Sequence, residues 1–70
     1  MNYQSVSSSN LRAVAYDEAS QILGIIFHGN REYYYYAVPA SVYSGLMGSP
    51  SKGRYHAAFI KNRYRFRQIR

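Results

Sequence analysis

Apolar and polar residues alternate along the first half of the chain in a pattern typical of half-buried β-strands. The first predicted strand spans residues 11–16 and the second spans residues 22–27, while four tyrosines at 33–36 form the third. The residues between the second and third strands, 28–30, include Gly and Asn, which tolerate the positive φ that a hairpin needs. The pattern therefore predicts an antiparallel three-stranded meander.

The length of the hairpin loop decides which tyrosines face the core. With a three-residue loop, Ile25 lies opposite Tyr33, so Tyr33 and Tyr35 share the core face of the sheet. Tyr34 and Tyr36 then point to the other face, because successive strand side chains alternate. A slip of one residue would exchange the two pairs.

The second half of the chain is predicted to begin with two short helices. Residues 40–47 form the first helix, and Ser51 caps a second helix that runs from residue 52 to about residue 62. Tyr55 and Phe59 are expected on the buried stripe of the second helix.

The chain ends in a second alternating stretch, residues 64–69, which predicts a strand with Phe66 inward and with Arg65 and Arg67 outward. The predicted fold is α+β, with an antiparallel three-stranded β-meander, two helices on one face and the C-terminal strand returning to the sheet. Residues 1–70 are expected to form a single domain in which residues 1–6 are flexible.

Positive charge is concentrated near the end of the chain. The net charge is +6, and seven of the nine lysines and arginines lie after residue 51, whereas all three acids lie before it. Such asymmetry favours an anionic partner, although charge also keeps small proteins soluble. The chain has no cysteine and no apolar run long enough to span a bilayer, which predicts a cytoplasmic protein with no membrane partner.

Groups that could support catalysis or metal binding are few. The two histidines, His28 and His56, have no carboxylate near them in sequence and are expected on the surface, in a turn and on a helix. No ligand spacing typical of a metal site is present. The sequence therefore predicts a protein that is not an enzyme and that holds no metal or cofactor.

An ordered set of motifs resembles the KTSC domain family. The set comprises Leu23-x-Ile25-x-Phe27, Tyr33-x-Tyr35, Val38-Pro39, Ser51-x-Gly53-x-Tyr55, Ile60-Lys61 and Tyr64. The family is named for its occurrence at the C-terminus of some lysyl-tRNA synthetases, and it includes stand-alone bacterial and phage proteins. At His56 the chain departs from the family pattern, which has a Phe or similar residue there. The resemblance implies an association with RNA by analogy alone.

The combination of basic and aromatic residues predicts a binding module for RNA, single-stranded nucleic acid or another phosphate-bearing polymer. In this hypothesis tyrosine rings stack on bases and cations contact phosphates; the residues are Tyr34, Tyr36, Lys52, Arg54, Lys61, Arg63, Arg65 and Arg67. Because tyrosine and arginine are also common at protein interfaces, the alternative is a protein-interaction module or a homodimer that uses the outer tyrosine face.

Overall fold

A five-stranded antiparallel sheet with two helices on one face forms the fold in the computed structural model, which describes residues 1–70. The strands are β1 (Gln4–Ser5), β2 (Leu11–Asp17), β3 (Ile22–Phe27), β4 (Arg31–Tyr35) and β5 (Phe66–Gln68). The helices α1 (Ala40–Gly48) and α2 (Lys52–Phe59) lie between β4 and β5 in the chain. Neighbouring strands follow sequence order, β1-β2-β3-β4-β5. The α+β class and the returning C-terminal strand are confirmed.

The predicted hairpin register between β3 and β4 is confirmed. Ile25 pairs with Tyr33 and Leu23 pairs with Tyr35. The loop consists of residues 28–30, in which Gly29 has a φ of 93° and Asn30 a φ of 63°. These left-handed conformations suit Gly and Asn, so the loop length is fixed by the residues that form it.

The core lies between the helices and the sheet face that carries Leu23 and Ile25, here called the inner face. Its fully buried residues come from all layers: Leu11, Val14, Leu23, Ile25, Val38, Leu46 and Ile60. Tyr16 of β2 stacks on Tyr43 of α1, with ring centroids 4.8 Å apart, and its hydroxyl donates to the carbonyl oxygen of Val38 at 2.5 Å. These contacts fasten α1 to the sheet.

The prediction of a three-stranded meander joined by a returning C-terminal strand is wrong in strand number, because the sheet has a fifth strand, β1, at its other edge. Gln4 and Ser5 pair with Val14 and Ala13 of β2. Two polar residues carry no alternation that sequence reasoning could recognise, and their pairing depends on the free edge of β2. The flexibility predicted for residues 1–6 concerns motion and stays a prediction.

The second helix is shorter than predicted and buries different residues. It ends at Phe59, which is 49% exposed, and the chain then turns so that Ile60 enters the core with no exposed surface. One helical turn before Ile60, His56 is also buried. Ser51 is the N-cap residue, as predicted, but its side chain makes no capping hydrogen bond. Its backbone N–H donates instead to the hydroxyl of Ser49 at 3.2 Å.

The opposite side of the sheet, here called the outer face, is partly covered by the N-terminal residues. Ala13, Ala15 and Gly24 lie in register on this face and are all buried. The Tyr3 side chain lies against Gly24, so close that a Cβ on the glycine would collide with the tyrosine hydroxyl. That hydroxyl donates to Oε2 of Glu32 at 2.6 Å. The missing side chain of Gly24, on a face where β2 carries only the small side chains of Ala13 and Ala15, thus lets Tyr3 pack closely against the sheet.

Candidate nucleic-acid interface

Four of the predicted site residues lie together on the outer face, along β4 and β5. Tyr34 pairs with Arg67, and the backbone N–H of Tyr36 donates to the carbonyl oxygen of Arg65 at 2.9 Å. Both tyrosines are half-buried and both arginines are exposed. The four residues are called the tyrosine–arginine strip below. Their shared face follows from strand alternation in two paired strands.

Two further predicted cations lie beside this strip, in the turn between α2 and β5. Lys61 and Arg63 are exposed and line a shallow cavity of about 510 Å³. The same cavity reaches Arg65 and Phe66, so it meets the strip at the beginning of β5. Lys61, Arg63, Arg65 and Arg67 therefore form one cationic border.

The structure does not bring the remaining two predicted cations to the strip. Lys52 and Arg54 lie in the first turn of α2, at the opposite end of the helix from Lys61. The ammonium group of Lys52 donates to the carbonyl oxygen of Ser49 at 3.2 Å. The cavity beside Lys52 has no hydrophobic residue in its lining and hence no ring for a base to stack on. Gly53 lies in close contact with the Asn10 side chain.

A cleft beneath α2 was missed by sequence reasoning. It has a volume of about 340 Å³ and lies between α2 and the inner face at β4 and β5. Five of its ten lining residues carry aromatic rings, and two cations, Arg31 and Lys61, also line it. The rings are Phe27, Tyr33, Tyr35, His56 and Phe66.

His56 and Tyr35 form a hydrogen-bonded pair in this cleft, with the Tyr35 hydroxyl 2.8 Å from Nε2 of His56. The expectation that His56 lies on the surface is wrong, since it is 7% exposed. Burial, assisted by the positive charge of Lys61, lowers the pKa of His56 to about 4. Burial also raises the pKa of Tyr35 to about 12. Both groups are therefore neutral at pH 7 and act as hydrogen-bonding groups.

The sequence contained a signal for this pair. His56 precedes Ile60 by four residues, so both lie on one helix face, and Ile60 is apolar enough to identify that face as the buried one. Tyr35 was already assigned to the core face, and a buried tyrosine hydroxyl needs a partner. The sequence prediction instead placed Tyr55 and Phe59 on the buried face of α2, and so it overlooked the face that carries His56 and Ile60.

The remaining titratable groups form no catalytic arrangement with the histidines. His28 is exposed, as predicted, and its Nε2 lies 2.9 Å from the carbonyl oxygen of Ser8. Glu32 accepts from Tyr3 and forms an ion pair with Arg70 at 3.0 Å. No three His, Cys, Asp or Glu side chains come together as a group that could hold a metal ion. Neither helix has the length and apolar character needed to cross a bilayer.

Comparison with known families decides what this fold is. A family model described as the KTSC domain matches residues 7–64. The chain belongs to the KTSC domain family. The resemblance inferred from the ordered motifs is therefore confirmed.

Relatives of this KTSC domain occur both alone and inside a larger protein. It is 42% identical over 62 residues to a protein from Tsukamurella paurometabola, covering 89% of this chain and 92% of that protein. It is 36% identical over 61 residues to a lysine–tRNA ligase from Nostoc punctiforme, covering 87% of this chain but only 11% of the ligase. The crystal structure of a KTSC domain protein from Yersinia pestis matches with a TM-score of 0.95 and 33% identity, over 99% of this chain and 97% of that chain.

Proposed function

We propose that this KTSC domain is a non-enzymatic module that binds single-stranded RNA through the tyrosine–arginine strip. The observation that carries the proposal is the pairing of β4 with β5, in which Tyr34 lies opposite Arg67 on the outer face. Two half-buried rings and two exposed guanidinium groups thereby share a surface that the helices leave open.

The chemistry of the strip suits a single strand. Bases stack on exposed aromatic rings, each contributing roughly 1–3 kcal/mol, while cations contact the phosphates along the backbone. Lys61 and Arg63 extend the row of cations beyond Arg65. None of the three acids of the chain lines the cavities that contain these residues. Glu32 lies two residues before Tyr34 on the same face of β4, but it is buried and paired with Arg70, so the exposed charges along the strip attract a phosphate backbone.

The relatives offer independent support for RNA as the polymer. Three of them are named lysine–tRNA ligases, from Nostoc punctiforme, another Nostoc strain and Trichormus variabilis. The matched segment makes up 11% of each, so the rest of the ligase has no counterpart in this chain. A segment attached to an enzyme named for tRNA is well placed to contact RNA. A cytoplasmic setting, as predicted from the absence of cysteine, would suit the same ligand.

The experiment is a titration of a short fluorescent RNA with the protein at two salt concentrations. Four phosphate contacts, from Lys61, Arg63, Arg65 and Arg67, give a log–log slope of about −2.8 on a single strand. Affinity should then fall about 50-fold between roughly 50 and 200 mM salt. A flat salt response, or no binding at the lower concentration, would contradict the proposal. Parallel titrations with single-stranded and duplex DNA test whether the binding is particular to RNA.

Self-association through the same outer face is the competing outcome. Tyr34 and Tyr36 lie beside the half-buried Ile22 and Ile26, so the face has an apolar part. Sedimentation at micromolar concentration separates the two functions. A tight dimer that dissociates on Tyr34→Ser substitution would favour the protein interface, whereas a monomer leaves the strip available for a nucleic acid.

A further inference from the structure

The Phe66 side chain connects the outer face with the cleft beneath α2. This ring is 56% exposed, although strand alternation places it on the inner side of the sheet, because β5 is the last strand. It lines three cavities: one on the outer face with Tyr36 and Arg67, one at the α2–β5 turn, and the cleft itself. The three cavities therefore form one path around the edge of the sheet.

Every charged side chain along this path is cationic. From the outer face to the cleft these side chains are Arg67, Arg65, Arg63, Lys61 and Arg31. A polyanion that binds the tyrosine–arginine strip can thus follow the edge of β5 into the mouth of the cleft and meet positive charge throughout.

The interior of the cleft differs from its mouth because it offers rings and neutral hydrogen-bonding groups. Phe66 lies 5.9 Å from the ring centroids of both Tyr33 and Tyr35, and Phe27 packs edge-on against His56 at 5.0 Å. With Nε2 bonded to Tyr35, the other ring nitrogen of His56 has no partner within the chain, and it is not sealed from solvent.

Asn10, which lies against Gly53 of α2, adds a second unpartnered polar group to the cleft. Its side-chain amide makes no hydrogen bond within the chain; only its backbone does, with the N–H donating to the hydroxyl of Ser8 at 3.2 Å and the carbonyl oxygen accepting from the N–H of His28 at 3.1 Å. The residue is exposed and lines the cleft next to Gly53. An amide and an imidazole nitrogen in a cleft with aromatic walls match the needs of a flat ring that carries donors and acceptors.

We propose that the cleft receives one nucleobase of the bound RNA strand, with its edge read by His56 and Asn10 and its flanking phosphates held by Arg31 and Lys61. This inference rests on the proposed function and names where a base is recognised. The cleft volume of about 340 Å³ is at the small end of the range for ligand pockets and suits a single base or mononucleotide. Sequence-specific RNA recognition commonly uses bases splayed from the strand and held between aromatic rings.

A phosphate ion alone fits the cleft poorly. The interior groups are neutral at pH 7, and the positive charges stand at Arg31 and Lys61, where the Arg31 guanidinium lies 5.4 Å from the Phe27 ring centroid. Aromatic walls favour a planar ligand over a small, strongly hydrated anion. Inorganic phosphate is therefore the natural control probe.

The first arm of the test titrates the protein with AMP, GMP, CMP and UMP separately and follows the side-chain nitrogen resonances of His56 by NMR. At least one nucleotide should shift these resonances, while inorganic phosphate at the same concentration should not. Asn10→Ala should lower the affinity for that nucleotide about 5- to 10-fold, the effect expected for the loss of one hydrogen bond. This variant keeps the fold because the residue is exposed.

The second arm measures RNA affinity, so that failure of the cleft and failure of the RNA proposal are distinguishable. His56→Phe keeps a ring of similar shape and removes both nitrogens, and it should lower RNA affinity about 5- to 30-fold without changing the salt slope. If RNA binds with the expected salt slope but neither His56→Phe nor Asn10→Ala changes its affinity, the proposal that the cleft receives a base is overturned. The proposal that RNA binds the tyrosine–arginine strip then still stands. If no RNA binds at low salt, both proposals are overturned.

Discussion

The Tyr35 hydroxyl and Nε2 of His56 lie 2.8 Å apart and join β4 to α2 inside the core. Both rings also pack against Phe27 or Phe66, so the hydrogen bond is enclosed by aromatic side chains. A buried imidazole with a neutral partner is held uncharged. This pair therefore couples the stability of the domain to pH.

Acidification should destabilise the protein in a window set by His56. Its pKa falls from an ordinary 6.5 to about 4 on folding, so the unfolded state binds more protons between these values. Above pH 6.5, His56 should make the free energy of unfolding neither rise nor fall with pH. As the pH falls from 6.5 to 4, the free energy of unfolding should decline by roughly 1–3 kcal/mol. The neighbouring charged groups, Arg31 and Lys61, are both cationic and oppose protonation.

Urea unfolding at a series of pH values measures this decline. His56→Phe should remove the part of the decline between pH 6.5 and 4. The matched variant His28→Gln changes the exposed histidine and should leave the decline in place. An unchanged profile in His56→Phe would show that another group is responsible.

Gly45 of α1 should not tolerate a side chain. A Cβ at this position would collide with the Tyr55 ring of α2, so Gly45→Ala should cost about 1–3 kcal/mol in unfolding free energy. Gly48 lies in the last turn of the same helix and has open space at its Cβ position, so Gly48→Ala should be neutral or slightly stabilising. Thermal melts of the two variants test the difference. Equal melting temperatures would mean that Tyr55 moves aside freely.

Removing the Tyr3 hydroxyl should weaken the packing of the N-terminal residues on the outer face. Glu32 is 8% exposed and accepts from Tyr3 at 2.6 Å, so Tyr3→Phe should cost about 1–3 kcal/mol. Tyr64→Phe is a matched control, because the tyrosine hydroxyls that form hydrogen bonds within the chain are those of Tyr3, Tyr16 and Tyr35. Chemical unfolding should separate the two variants, and a neutral Tyr3→Phe would indicate that Arg70 alone satisfies the carboxylate.

RNA affinity should depend on the position of a cation rather than on net charge. The double variant Arg65→Gln/Arg67→Gln should lower affinity about 5- to 20-fold and should reduce the salt slope by about 1.4. The control Lys52→Gln/Arg54→Gln makes the same change in net charge at the far end of α2 and should alter affinity much less. If both double variants weaken binding equally, the interaction is a general attraction to a basic protein.

The strand pattern could be predicted well because it depends on local rules. Two residues that tolerate positive φ, Gly29 and Asn30, fixed the loop length, and the loop length fixed the pairing of Ile25 with Tyr33. Neither step needs knowledge of distant parts of the chain. The position of Tyr34 beside Arg67 required only that the last strand join β4.

The features that could not be predicted depend on contacts between distant residues. Tyr3 lies on the outer face because Gly24 leaves room for its side chain, and no local pattern relates these two residues. His56 lies in the core because the face of α2 that packs on the sheet carries His56 and leads to Ile60, whereas Phe59, at the end of the helix, is exposed. Element ends are set by tertiary packing, and a shift of one turn changes which residues are buried.

The two sides of the sheet end in strands of only two and three residues, β1 and β5, and β5 places Arg67 between Phe66 and Gln68. Long, uncharged strand edges recruit other chains and lead to fibrils, whereas short edges with positive charge repel a second copy. The arginines proposed to contact phosphate thus also oppose edge-to-edge aggregation. Substitution of these arginines by apolar residues would favour amyloid-like assembly of the domain through this edge.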